Sequence, residues 1–411
     1  MSSLCQRLWQ PLRKFVADSR RITTSGDWLP EVDGIRLVAI GLVLVQHIFE
    51  RVIRRSNAIY PDIEGGVWER ALGTGTTGVL IFFTLSGYIL ARILVGRLSS
   101  GRPLDLASYF MRRITRLEPP YFLVMTGMYL FLSFTGMHRE HAVSFNRGAE
   151  TLTGAWLVSM FYAYCPTFGT MPKLNPPAWS LEIEVQFYLL APLVAFLLVR
   201  CRERVRLPGM IACMLVWAVT IAPLATDPHL KYTLLGFFPF FFGGFAVFEI
   251  QRLLGGAHTS LRKNLRPVCD ILAIFSIAGL LTIDHWAPAS ARLWLKPVGT
   301  LLFVAGCLFG GFVRRLLSIP VISLAGGMCY SIYLVHLPVI ELGADFTVRI
   351  GRGYPFLVFL AIQFVLLCSV VMVFSWVFFR LIERPCMNRE WPKRLWLFVS
   401  GKIQKSNRDV S

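Results

Sequence analysis

Apolar runs of about twenty residues alternate along this chain with short segments rich in Arg, Lys, Pro and Gly. An α-helix rises ~1.5 Å per residue, so about twenty apolar residues cover the ~30 Å hydrocarbon core of a bilayer. Runs of that length fall near residues 37–54, 76–96, 117–136, 178–199, 208–225, 232–250, 269–286, 294–313, 322–343 and 355–379. An eleventh patch, from Leu152 to Cys165, is short and ends at Pro166, and it reads as re-entrant or interfacial. The pattern predicts an all-α fold: a polytopic integral membrane helical bundle of about ten transmembrane helices, with both termini on one side. No internal repeat or low-complexity segment interrupts it, which leaves any chemistry to the membrane domain.

Composition agrees, with 55% hydrophobic and 16% charged residues among 411 and a mean hydropathy of +0.57, values that exclude an ordinary soluble domain. The net charge of +18 would suit a nucleic-acid partner, but Lys and Arg sit in short clusters between apolar runs, so no nucleic acid is expected. Their placement follows topology. With the N-terminus inside, thirty of the 42 Lys and Arg residues fall in inner connections, the excess that cytoplasmic segments carry. Both termini are therefore expected in the cytoplasm. Counting Leu152 to Cys165 as a full span would invert every later connection and spoil that partition.

Three regions follow. Residues 1–30 form a basic cytoplasmic segment in which Leu4, Leu8, Leu12 and Phe15 recur at helical spacing, a candidate interfacial helix. Residues 31–385 form the transmembrane domain, and residues 386–411 a polar, basic cytoplasmic tail. Nine scattered cysteines without a CxxC pair predict neither a disulfide framework nor a zinc site. His138 and His141 share an outer loop without a third ligand, so no metal is expected.

Ionisable residues inside spans are expensive and mark candidate functional positions. His47 follows Arg36 by eleven residues on one predicted helix. Eleven steps of ~100° return to within about 20° of the same face, and the rise separates the two by ~16 Å. A cation at the cytoplasmic mouth would thus stand below an imidazole near the bilayer centre, as a donor site with a base above it requires; a packing histidine fits the same position. Arg113 and Arg116, three apart just before Pro119 and Pro120, share a face and suit a nucleotide or pyrophosphate, although an inner loop carries arginines in any case. The stretch from Asn175 to Tyr188 opens the fourth span with Trp179, Glu182 and Glu184. The two acids lie about 200° apart, so one of them faces a given cavity, and Glu182 reads as interfacial. Tyr330 to His336 rises on the penultimate span toward the outward half, where His336 reads equally as a packing residue. Leu85-Ser86-Gly87-Tyr88, in the middle of span two, reads as a close helix contact.

At these residues the chain resembles the membrane-bound acyltransferase-3 family, bacterial integral-membrane O-acyltransferases that modify envelope sugars. The matching pieces run in order from Val32-Asp33-Gly34-Ile35-Arg36 to His47, then Phe82 to Tyr88, Arg113 to Arg116, Trp179 to Tyr188, Tyr330 to His336 and Glu383-Arg384-Pro385. The Arg-x10-His spacing and the Arg-x2-Arg pair are the most specific. The resemblance implies ten membrane helices in the cell inner (cytoplasmic) membrane, acyl-CoA, by default acetyl-CoA, as co-substrate on the cytoplasmic side with no permanently bound cofactor, and a carbohydrate or glycoconjugate hydroxyl as acceptor outside. It implies His47 as the catalytic histidine with Glu184 beside it, and Arg36, Arg113 and Arg116 as donor-binding cations. Tyr330, His336 and Trp179 are candidate substrate contacts. Where many members have two adjacent glutamates, this chain has Glu184-Val185 and an extra acid at Glu182, which leaves the assisting carboxylate open. Some relatives carry a C-terminal hydrolase-like domain that helps deliver the acyl group. None is visible in this sequence, so an envelope-synthesis partner protein or a small or lipid-linked acceptor is expected.

The expected reaction moves an acyl group, by default acetyl, from acyl-CoA to a sugar hydroxyl. The residues leave open whether His47 deprotonates that hydroxyl or carries the acyl group itself. A transporter or flippase for an envelope glycan precursor or acylated metabolite is the competing reading, because buried His, Glu and Arg also line substrate pathways. A non-catalytic scaffold is a third. The lack of repeat symmetry weighs against the transporter, and the alignment of Arg36 with His47 against the scaffold.

Overall fold

Every predicted apolar run becomes helix. The computed structural model describes residues 28–57, 59–60, 66–136, 150–256, 259–388 and 390–391, and among the described residues the regular structure is helical throughout. The N-terminal interfacial helix, the pair His138 and His141 and most of the C-terminal tail lie outside the described residues. The long helices are α1 (Pro30–Ser56), α2 (Gly75–Ser99), α3 (Leu106–Thr135), α4 (Trp179–Arg200), α5 (Glu203–Thr220), α6 (Leu234–Gly255), α7 (Thr259–Trp286) and α8 (Ala289–Phe309). A broken pair follows, α9 (Pro320–Gly327) and α10 (Cys329–Thr347), and then α11 (Phe356–Phe378). Among the described residues, 8 helices are long and apolar enough to cross a membrane, or up to 9 with the α9–α10 pair, whose halves are bent by 67°. The predicted third span lies within α3, which is ~45 Å long but less apolar than those eight because Glu118, Pro119 and Pro120 interrupt it. The short patch folds as Leu152–Met160 and Tyr164–Phe168; nine helical residues reach only ~14 Å and cannot cross.

Local chemistry sets the helix ends. In α1, Pro30 takes the first helical position, Glu31 and Asp33 occupy the first turn and Arg54 and Arg55 the last, charges that complement the helix dipole at both ends. Asp105 accepts the Ser108 N–H at 3.0 Å to start α3, and Gly136, at φ +68°, ends it.

Glycines bring backbones together where the site is built. A Cβ on Gly244 would stand 2.0 Å from the Thr84 carbonyl oxygen and 2.4 Å from the Tyr88 nitrogen, and one on Gly87 would stand 2.0 Å from the Phe241 carbonyl oxygen. Helices α2 and α6 thus touch backbone to backbone, the contact expected of Gly87. Phe241 stacks on Phe83 and Phe187 at ring separations of 4.7 and 4.2 Å, which ties α2, α4 and α6 into one core.

Helices α1 and α10 lie side by side and run in the same direction. His47 meets His336, Arg51 pairs with Glu341, and Arg55 pairs with both Glu341 and Asp345 at 2.5 Å. Contacts that advance together by about four residues on each helix are those of parallel neighbours, one turn at a time.

Candidate active site

A cavity of about 640 Å³ opens among α1, α2, α3, α4, the start of α10 and the turn after α11, within the ~300–1,000 Å³ range of small-molecule sites. Its walls include Arg36, Arg113, Arg116, Glu184 and Tyr330, so five of the eight expected site residues converge there from four helices. Arg36 donates to Asp33 at 2.5 Å, and Asp33 also accepts the Trp28 indole N–H at 2.9 Å. The Arg113 guanidinium lies 3.7 Å above the Tyr109 ring and 5.0 Å from that of Tyr188. Arg116 Nη2 stands 4.0 Å from the Glu383 carboxylate. Three guanidiniums converge on a partly dehydrated space, which favours a polyanionic ligand such as a diphosphate.

Glu184 belongs to this cavity and not to His47. Its carboxylate accepts the Ser86 hydroxyl at 2.7 Å and the Tyr188 hydroxyl at 2.5 Å. The carboxylate that faces His47 is Glu50, whose Oε2 is 3.5 Å from the imidazole Nδ1. Glu50 is also held by the Gln46 amide at 2.6 Å. The spacing His47-x2-Glu50 puts both on one face of α1, a signal that the sequence carries alongside the Glu182 and Glu184 pair. Glu182 is buried rather than interfacial: it accepts the backbone N–H groups of Tyr164 and Cys165 at 3.1 and 2.9 Å and so anchors the short helix Tyr164–Phe168.

His47 and His336 form a pair beyond the inner end of the cavity. Their ring centroids are 5.2 Å apart with planes tilted by 41°. His336 is fully buried, and its Nδ1 lies 3.0 Å from the Ile332 carbonyl and 2.8 Å from that of Tyr333. Carbonyls only accept, so Nδ1 carries the proton and Nε2 keeps its lone pair. Among the described residues that Nε2 has no hydrogen-bond partner, an omission that costs ~1–3 kcal/mol in a buried site and asks for an explanation. His47 keeps 21% of its side-chain surface accessible and Glu50 37%, although neither lines the cavity.

Tyr333 separates the two compartments. It lines the cavity, its ring centroid is 5.9 Å from that of His336, and its hydroxyl donates to the Pro177 carbonyl at 2.5 Å while meeting Ser180 Oγ at 2.6 Å. Tyr330, on the cavity wall, donates to the Leu117 carbonyl at 2.7 Å. Trp179 is not brought to the site: it packs against Phe83, Tyr232 and Phe237, because one step along α4 turns the cavity face over to Ser180. Among the described residues no group of three metal-ligating side chains occurs.

An all-helical, multi-pass membrane protein with a basic cavity ending near an imidazole pair defines the class, and sequence comparison supplies the family. The chain belongs to the acyltransferase-3 family, whose acyltransferase domain matches residues 29–380. It is 26% identical over 340 residues to the O-acetyltransferase OatA of Staphylococcus aureus, covering 76% of this chain and 51% of that one. It is 24% identical over 345 residues to the peptidoglycan O-acetyltransferase OatA of Listeria monocytogenes, covering 77% of this chain and 50% of the relative. The chain thus spans about half the length of these curated relatives. No solved structure matches it.

Proposed function

We propose that this chain transfers an acetyl group from acetyl-CoA, held in the basic cavity at the cytoplasmic side, to a hydroxyl of peptidoglycan or another envelope glycan beyond the inner membrane. The observation that carries the reading is that one helix, α1, places Arg36 in the cavity and His47, ~16 Å further along, in the imidazole pair. The names of the relatives supply acetyl as the group and a cell-wall glycan as the acceptor class.

In this mechanism Arg113, Arg116 and Arg36 bind the coenzyme phosphates, and the flexible thiol-bearing arm runs inward along Glu184, Tyr188 and Tyr330. Tyr333 turns aside from Pro177 and Ser180 to let the thioester approach the histidines. His47, oriented by Glu50, takes the proton of the acceptor hydroxyl as its oxygen bonds to the acyl carbon. The carbon–sulfur bond breaks, its electron pair leaves with sulfur, and the thiolate takes up a proton as it leaves through the cavity.

Ten crossings with both ends cytoplasmic agree with the direction of α10. Helices α1 and α10 are parallel, so an even number of reversals separates them. Counting α2, α3, α4, α5, α6, α7 and α8 as crossings, and the short helices Leu152–Met160 and Tyr164–Phe168 as none, makes α10 part of the ninth span with the same direction as the first. The charge distribution, thirty of 42 cations on the Arg36 side, supports that side as cytoplasmic.

The test compares surface glycans by mass spectrometry in cells with the gene intact, deleted, or replaced by His47→Ala. The expected result is an O-acetyl ester present in the first and missing in the other two, with the variant still inserted in the membrane. Unchanged esters in the deletion, or near-native esters with His47→Ala, overturn the reading. A transporter would move its substrate without consuming acetyl-CoA.

A further inference from the structure

Two imidazoles in contact where one base would suffice, one fully buried and the other partly accessible, are the feature the mechanism above does not use. His336 stands next to Tyr333 at the end of the donor cavity. His47 stands beside it, its Nδ1 buried and 3.5 Å from Glu50 Oε2, with 21% of the side chain accessible. The backbone dictates the state of His336: the carbonyls of Ile332 and Tyr333 hold the Nδ1 proton, and the buried Nε2 is left with a lone pair and no partner among the described residues. A neutral imidazole nitrogen, fixed in orientation and stripped of hydrogen-bond donors, is a nucleophile. His47 differs in having a carboxylate beside its ring, 3.5 Å from Nδ1, which can orient it as a base toward a hydroxyl.

We propose that His336, resting on the acetyl-CoA reading above, is the residue that takes the acyl group from the donor, and that His47 serves the acceptor. In the first step the Nε2 lone pair of His336 bonds to the thioester carbonyl carbon and the carbon–sulfur bond breaks. The electron pair leaves with sulfur as the CoA thiolate, and an acyl-imidazolium remains. Its positive charge sits on the ring whose Nδ1–H already points at two carbonyl oxygens, which stabilise it. In the second step the acceptor oxygen bonds to the acyl carbon, its proton passes to His47, and the carbon–nitrogen bond breaks, returning the pair to His336 Nε2. The proton on His47 leaves through the accessible side, and the thiolate is protonated as it leaves by the cavity. Donor and acceptor then never need to occupy one continuous channel, in keeping with the Tyr333 layer between cavity and histidines.

The test uses the full chain in lipid nanodiscs with acetyl-CoA labelled in the acetyl group and no acceptor, measured by rapid quench for thiol release and for hydroxylamine-labile label on the protein. His336→Asn is the informative variant, because the Asn amide nitrogen falls near Nδ1 and keeps a donor to the two carbonyls while removing Nε2. His336→Gln, whose amide N–H₂ falls near Nε2 without a basic lone pair, is the second. The expected result is a burst of thiol release in the wild type, label accumulating at least tenfold in His47→Gln, and loss of both burst and label in the two His336 variants, with acetyl-CoA affinity kept within about twofold. A burst retained in His336→Asn, or label mapped to His47, overturns the proposal. So does acetyl transfer to acceptor by a wild type that shows no burst and whose His47→Gln variant takes no label. A wild type that draws no acetyl from acetyl-CoA under any condition removes the donor reading itself, and this assignment with it.

Discussion

Glu383 reaches from the turn after α11 to Arg116 on α3, its Oε1 4.0 Å from the guanidinium, while its other oxygen accepts both the backbone N–H and the hydroxyl of Ser331 at 3.0 and 2.6 Å. One fully buried carboxylate therefore fixes the start of α10 and a cation of the basic cavity together. Glu383→Ala leaves the Ser331 N–H and Arg116 without this acceptor, and is expected to lower stability by about 2–4 kcal/mol. Glu383→Gln keeps an oxygen for Ser331 and is expected to lose less than half of that. Thermal unfolding in detergent compares the two; equal midpoints would show that Ser331 does not depend on this residue.

Glu50 is expected to act through His47. Replacing it by Gln keeps the shape and the contact with Gln46 but removes the negative charge that steadies an imidazolium. Transfer to acceptor should fall about 10- to 100-fold, with the KM for acetyl-CoA unchanged because Glu50 does not line the cavity. A raised donor KM with normal turnover would assign Glu50 to donor binding instead.

Arg113 lies over two tyrosine rings, and a flat guanidinium can stack on them while its edge reaches a phosphate. Lys preserves the charge and loses the stacking. Arg113→Lys should therefore raise the acetyl-CoA KM by about tenfold with little change in kcat, and Arg113→Ala by more. Steady-state kinetics at saturating acceptor measure this, and an unchanged KM in Arg113→Lys would rule out the stacked geometry as a contributor.

Much of this arrangement was legible from spacing alone. Arg36 and His47 sit on one helix because eleven residues make nearly three whole turns, and Arg113 and Arg116 converge because three residues make nearly one. What spacing cannot convey is which neighbour a residue meets. Glu184 lies in the basic cavity because Ser86 of α2 and Tyr188 hold it there, and nothing local to its own stretch favours that over His47. Glu182 is buried because a separate short helix brings two N–H groups to it. The run 322–343 reads as one span, yet it breaks at Met328: Gly326 lies so close to α1 that a Cβ there would stand 1.7 Å from the Asp33 carbonyl oxygen. That contact fixes α9 at an angle that α10 cannot continue.

The α2–α6 contact gives a steric prediction with an internal control. Gly244→Ala puts a methyl group into the Thr84 carbonyl, and with both backbones in regular helix the helices must separate. The cost is expected to be at least the ~1–3 kcal/mol of overpacking, seen as loss of the monodisperse peak in detergent. Gly127→Ala on α3 meets nothing within 4 Å, and by removing a helical glycine should stabilise by ~0.5–1 kcal/mol. Equal behaviour of the two variants would contradict the packing described here.

The parallel course of α1 and α10 makes the most direct test of topology. Arg51 and Glu341 pair near the Glu50 end of the bundle, opposite the Arg36 cavity, and Arg55 extends the ladder to Asp345. Paired cysteines at 51 and 341 should crosslink under mild oxidation, whereas cysteines at 51 and 330 should not, since 330 lies on the cavity wall. A single cysteine at 345, where the Asp side chain is 71% exposed, should react in intact cells with a maleimide that cannot cross the membrane. Arg102→Cys, on the rim of the cavity, should react only after the cells are opened. If both sites label from outside, the cavity faces away from the cytoplasm, acetyl-CoA cannot reach its arginines, and donor and acceptor sides must be exchanged. If neither pair crosslinks while both labels behave as expected, the sidedness stands and it is the register between α1 and α10, and with it the contact between His47 and His336, that fails.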